Sequence, residues 1–245
     1  DAARDDAPDA ARDDAPDAVR DDAPDAVRGP AGGREGEAKT RPPPLVAASV
    51  GPYGAYLADG SEYDGRYEGV SRSDLADFHA HRLELLADSG VDLLACETVP
   101  SGREAEVLVD LISHLEAAPR AWMAFSCAEG GELKGGVPGE DVDIGGCGIN
   151  KKETVGVNCT APRYLPELVR RIRTVHRGHI IVYPTSGELY DAESGRWSKR
   201  SDAEARDDRW LHGVLEARRE GADALGGCCR VGPEDIGELR RRLLA

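Results

Sequence analysis

Two short segments of this chain carry thiols in settings that suit metal chemistry. One is Gly226-Gly227-Cys228-Cys229-Arg230, and the other is Gly156-Val157-Asn158-Cys159-Thr160-Ala161-Pro162. Each closes a short apolar run, Ala222 to Leu225 in the first case and Thr154 to Val157 in the second. Such runs, bounded by glycine and proline, read as buried parallel strands. Both motifs then fall at carboxyl ends of strands, where α/β folds place their chemistry. Three thiols gathered there make a zinc site with one coordination position open. Adjacent side chains on a strand point to opposite faces, so Cys228 and Cys229 can meet one ion only if the backbone leaves the pleat. Gly226 and Gly227 are expected to supply that twist. Spacing alone leaves a second reading open, three core cysteines, because free cysteine is among the most buried residue types and no CxxC pair is present.

The elements that must position these thiols alternate between strand and helix. Apolar runs predict strands at 45–50, 91–96, 121–127, 154–158, 180–183 and 223–225. Between them, Ser73 or Asp74 is expected to cap a helix that carries Leu75, Phe78, Arg82, Leu85 and Leu86 and stops at Gly90. Ser101 opens a second helix with Val107, Leu108, Leu111, Ile112 and Leu115 on one face. Further helices are expected from Pro166 to Thr174, from Asp202 to Arg219 and from Pro233 to Leu244. Strands alternating with helices of this length imply a parallel sheet in an α/β fold.

Residues 1–28 differ in texture. They repeat an octad, Asp-Ala-Ala-Arg-Asp-Asp-Ala-Pro, with Val replacing the second Ala in the later copies. A proline every eighth residue interrupts helices, and no large apolar side chain is present to offset the entropy of ordering. Together with the Gly-rich, charged stretch to Pro42-Pro43-Pro44, residues 1–44 are expected to form a disordered acidic tail and linker, with one domain from 45 to 245. The tail concentrates charge: residues 1–24 carry −6 of the −15 formal charge of the 245-residue chain. So acidic a protein is a poor fit to nucleic acid. No apolar run is long enough to span a membrane, and six cysteines without a disulfide pattern suit a reducing, cytoplasmic setting.

The motif GVNCTAP followed by GGCCR resembles the zinc-dependent homocysteine S-methyltransferase family. Other stretches agree in the same order: Ala48-Ser49-Val50-Gly51-Pro52-Tyr53-Gly54-Ala55, Leu57-Ala58-Asp59-Gly60-Ser61-Glu62-Tyr63, Glu97-Thr98-Val99-Pro100 and Tyr183-Pro184-Thr185-Ser186-Gly187-Glu188. The resemblance implies a (β/α)8 TIM barrel, of which six βα units are visible here. The family's first strand carries Asp-Gly-Gly, which residues 1–44 lack, so the barrel is expected to be incomplete at its N-terminus. Segment 128–153 departs as well, with eight glycines where the family has a helix. Thr185 stands where the family often has Asn.

The resemblance also implies the chemistry. Cys159, Cys228 and Cys229 would be the zinc ligands, and homocysteine would receive a methyl group from a sulfonium donor, S-methylmethionine or S-adenosylmethionine, to give methionine. The alternative is an impaired, zinc-binding remnant of such a barrel with no enzymatic role. Glu97 would bind the homocysteine amino group, its other reading being a solvent-facing loop carboxylate. Asn158 either reaches the substrate or orients its loop. Tyr53 and Tyr183 are candidates for lining the donor pocket, or are buried tyrosines with bonded hydroxyls. His79 and His81 lie two apart on one helix and are expected to be a solvated pair. Cys96 and Cys127 are expected in the core, and Cys147 has no assigned role. If the tail is disordered, deleting residues 1–40 will leave the thermal midpoint within a few degrees in calorimetry, and a large drop would show that the tail packs on the domain.

Overall fold

The computed structural model describes residues 43–245 apart from 117–118, 128–153, 192–195 and 199–209. The expectations for the octad tail, for segment 128–153 and for Cys147 lie outside the described residues. Six parallel strands form one sheet: β1 (Ala47–Val50), β2 (Leu93–Val99), β3 (Arg120–Phe125), β4 (Thr154–Asn158), β5 (Ile180–Tyr183) and β8 (Ala224–Leu225). Their spatial order is β1-β2-β3-β4-β5-β8, so each strand lies beside its neighbour in sequence without a reversal. That monotonic order is the progression of a (β/α) barrel wall, in contrast to a doubly wound sheet, whose order reverses at a switch point. An antiparallel hairpin, β6 (Leu189–Asp191) with β7 (Arg196–Ser198), is inserted after β5. Its three-residue strands are too short to show a period, and the sequence gives no sign of them.

Register divides the sheet into two chemically different faces. Val50 pairs with Cys96, Cys96 with Met123, Met123 with Val155 and Val155 with Ile180. Residues paired across a parallel ladder share a face, and this row is buried against the helices α3 (Arg72–Asp88), α4 (Gly102–His114), α5 (Leu165–Val175) and α6 (Trp210–Arg219). Leu83, Leu108, Leu168, Ile172 and Val214 complete that core. The alternate residues, Ser49, Glu97, Trp122, Asn158 and Tyr183, lie on the other face, where polar groups accumulate toward the carboxyl ends.

Several elements depart from expectation for local reasons. β2 runs on to Val99, because a register irregularity between Cys96 and Val99 inserts an extra residue opposite β3. Helix α3 is capped two residues before Ser73, by Ser71 in a reciprocal box with Asp74. Its buried face is Leu75, His79 and Leu83, while Leu85 is exposed. Two short helices, α1 (Tyr53–Leu57) and α2 (Ser61–Asp64), occupy the connection after β1. The closing helix α7 (Pro233–Leu244) has the expected bounds. Among the described residues no helix is long and apolar enough to cross a membrane.

Helix α6 meets the 3-10 turn Pro162–Tyr164 that follows the Cys159 loop, and a glycine makes that approach possible. A Cβ on Gly213 would lie 2.4 Å from the Pro162 carbonyl oxygen. Backbone cannot yield as a flexible side chain does. Gly213→Ala will therefore destabilise by about 1–3 kcal/mol, lowering the calorimetric midpoint by roughly 2–12 °C. An unchanged midpoint would show that α6 can shift freely over this turn.

Candidate metal and substrate site

The three thiols of the sequence motifs converge. Cys159 follows β4 and turns sharply, with a left-handed φ of 49° that throws its side chain off the strand direction. Cys228 and Cys229 lie in the turn after β8, fixed by backbone hydrogen bonds. Cys228 N–H donates to the Pro184 carbonyl at 2.8 Å, and Ser186 N–H donates to the Cys229 carbonyl at 3.0 Å. The left-handed residue of this turn is Arg230, at φ 68°. Neither Gly226 nor Gly227 is left-handed, although the strand ends directly before them; what they demonstrably supply is room. A Cβ on Gly227 would sit 2.1 Å from a Val231 methyl, and one on Gly226 3.3 Å from Cβ of Tyr183.

The sulfur atoms form a small triangle: Cys159 to Cys228 3.4 Å, Cys159 to Cys229 3.6 Å and Cys228 to Cys229 3.8 Å. Tetrahedral coordination with metal–sulfur bonds of about 2.3 Å requires sulfur–sulfur edges of about 3.8 Å. The triangle fits one ion seated on three thiolates. Among the described residues this is the one group of three or more such side chains close enough to share a metal. Without a cation the same closeness opposes ionisation. Hydrogen bonds with Cys228 and Cys229, and then burial, push the Cys159 thiol far above the usual range. A bound cation inverts that balance, because coordination removes the thiol proton.

Beside the triangle lies a hydrogen-bonded chain drawn from four strands. Trp122 Nε1–H donates to the Tyr183 hydroxyl at 2.9 Å, which donates to Glu97 Oε2 at 2.9 Å, and Ser49 Oγ donates to Glu97 Oε1 at 2.6 Å. Burial, and then the Glu97 charge, hold the Tyr183 hydroxyl well above its ordinary pKa, so it remains a donor. Each Glu97 oxygen keeps a lone pair for a further donor, because an ionised carboxylate offers about four acceptor sites. Asn158 is turned to a neighbour: its Oδ1 accepts from Thr98 N–H at 2.7 Å and its Nδ2 donates to Thr98 Oγ1 at 2.8 Å.

Tyr53 is set in a different cluster. Its ring packs edge-on to Tyr67 and Phe78, and its N–H donates to Glu104 Oε1 at 2.6 Å. Glu104 is fully buried and also accepts from Tyr67 at 2.7 Å, with His79 Nε2 at 2.8 Å. His79 is thus a core residue, unlike the solvated side chain expected, while His81 is exposed. His79 Nδ1 is buried without a hydrogen-bond partner. This cluster ties α1 to α3 and α4. The sequence conceals it, because Glu104 stands three residues after Ser101 and looks like an ordinary helix-capping glutamate. Cys96 and Cys127 are buried in the core, and burial pushes Cys96 up to about 12. Ser49 and Trp122 escaped notice because each sits inside an otherwise apolar strand.

The sequence model of the homocysteine S-methyltransferase family matches residues 11–243. The chain belongs to that family. It is 42% identical over 212 residues to homocysteine S-methyltransferase 4 of Zea mays, covering 86% of this chain and 62% of that protein. It is 40% identical over 199 residues to the Bacillus subtilis homocysteine S-methyltransferase YbgG, covering 81% and 61%. The metallated form of the Escherichia coli homocysteine methyltransferase MmuM superposes with a TM-score of 0.64 at 36% identity, over 81% of this chain and 61% of that one. The chain therefore spans about three fifths of the length of the relatives it matches, and its sheet is that of the family's TIM-type barrel.

The sulfur triangle predicts about one thiophilic ion per purified chain. Cys159→Ser, Cys228→Ser and Cys229→Ser should each lose most of it in elemental analysis. Full retention in all three would remove these cysteines from any metal site.

Proposed function

We propose that this chain transfers a methyl group from a sulfonium donor, S-methylmethionine or S-adenosylmethionine, to homocysteine, with zinc held by Cys159, Cys228 and Cys229. The observation that carries the reading is the sulfur triangle after β4 and β8, on the same carboxyl-end side of the sheet as the Glu97 carboxylate of β2, whose two oxygens are held by Ser49 and Tyr183. Zinc bound there would supply a Lewis acid that keeps the homocysteine sulfur deprotonated and leaves it an electron pair for attack. In the reaction that pair forms a bond to the donor methyl carbon. The carbon–sulfonium bond breaks, the departing sulfur keeps its electrons, and the thiol proton goes to solvent.

The chain's own residues bind and orient. Glu97 receives the substrate ammonium on its remaining lone pairs, while Ser49 and Tyr183 stop the carboxylate from rotating. Trp122 fixes the Tyr183 hydroxyl in turn, and the Tyr183 ring is the better placed of the two tyrosines to line the donor pocket, since Tyr53 packs on Phe78. Six cysteines with no disulfide-framework spacing suit a reducing, cytoplasmic location, which is part of this reading.

Incubating the zinc-loaded protein with homocysteine and each donor, and measuring methionine, tests the reading. Glu97→Ala should keep its zinc and lose a charge-assisted contact of about 1.5–3 kcal/mol, raising the homocysteine KM roughly ten- to a hundredfold. Zinc at full occupancy with no methionine from any donor would overturn the enzymatic reading.

A further inference from the structure

Two residues beside the site hold backbone conformations that their side chains disfavour. Thr98 has φ 61° and Cys159 φ 49°. Left-handed backbone is uncommon for any residue with a Cβ and a marked outlier for a β-branched one, so each persists only where neighbours impose it. Thr98 follows Glu97 within the irregularity of β2, where the ladder to β3 skips from Cys96 to Val99. A bulge of this kind re-aims one side chain and leaves backbone groups without ladder partners. The Thr98 N–H is such a group.

Its partner comes from a strand that does not pair with β2. Asn158 ends β4, beyond β3, and is only 1% exposed. Both ends of its amide are committed to Thr98, with Oδ1 on the N–H and Nδ2 on Oγ1. The side chain keeps one N–H and one lone pair beyond these two bonds, but at 1% exposure it meets little of the open site. It is instead placed to hold the bulge that carries Glu97 from the residue that precedes Cys159. Through one amide, the carboxylate and the first thiol are set at a fixed separation.

We propose that Asn158 is a positioning residue that couples the Glu97 arm to the Cys159 turn, so that the carboxylate that binds the substrate ammonium and a thiol that would hold the metal move as one unit. This rests on the homocysteine reading for its kinetic consequence, and on the geometry alone for the coupling itself. Alanine at 158 frees Thr98 to leave its left-handed conformation, and Glu97 then departs from the Tyr183 hydroxyl. The Trp122 indole N–H, which ends that chain, reports the change without any substrate.

The test has two arms on the zinc-loaded protein. In the first, homocysteine KM is measured for wild type, Asn158→Ala, Glu97→Gln and the double variant. Each single change should raise KM about tenfold while zinc stays near one per chain, and the double variant should be no worse than about twice the weaker single. A KM unchanged in Asn158→Ala, or effects that multiply, would overturn the proposal. In the second arm, the indole N–H resonance of Trp122, assigned with Trp122→Phe, is recorded without homocysteine for wild type, Asn158→Ala and Thr98→Val. Displacement in both variants supports the coupling, and a resonance unmoved in both overturns it. If wild type forms no methionine, the homocysteine reading fails, and the second arm still decides the coupling.

Discussion

The structure depends on a parallel ladder whose two faces carry opposite chemistry. On one face, Val50, Cys96, Met123, Val155 and Ile180 form an apolar row sealed by helices, and burial of that row is what holds the strands side by side. Because stability is secured there, the opposite face is free to carry Ser49, Glu97, Trp122, Asn158 and Tyr183. Polar groups on a sheet face need partners; Ser49, Glu97, Trp122 and Tyr183 find them in one another, and Asn158 in Thr98. The site is thus the satisfied polar half of a sheet whose apolar half does the folding.

Strain is concentrated where the chemistry is. Of the four described non-glycine residues with left-handed backbone, Thr98 lies near the end of β2, Cys159 and Arg230 follow β4 and β8, and the fourth, Ala58, caps α1. Each rim outlier costs on the order of 1–3 kcal/mol and must be held by its surroundings. Asn158 holds Thr98, a Val231 N–H that donates to the Cys228 carbonyl closes the turn at Arg230, and the Arg230 guanidinium reaches Glu188 at 2.8 Å.

The sequence made the thiols legible because glycine, proline and cysteine punctuate apolar runs in ways few other sites share. It also located all six sheet strands, two of them, β4 and β5, to the residue. What it concealed follows from contacts distant in the chain. His79 resembles a surface histidine until Glu104, from another helix, is brought against it. Gly226 and Gly227 suggest torsional freedom, whereas their role is to admit Val231 and Tyr183. Ser49 and Trp122 acquire meaning only once β1, β2, β3 and β5 lie side by side.

One feature of the thiol rim bears on how such a site tolerates change over generations. The segment Pro184–Thr185–Ser186 bridges the Cys159 loop and the Cys228–Cys229 turn entirely through main-chain groups: Thr185 N–H to the Thr160 carbonyl, Ser186 N–H to the Cys229 carbonyl and the Pro184 carbonyl to Cys228 N–H. Main-chain bonds are indifferent to the side chain above them. The side chain at 185 can therefore change without moving a sulfur atom. The spacing of the three thiols is insulated from drift at the very loop that joins them, leaving that loop's outward side chains open to diversify.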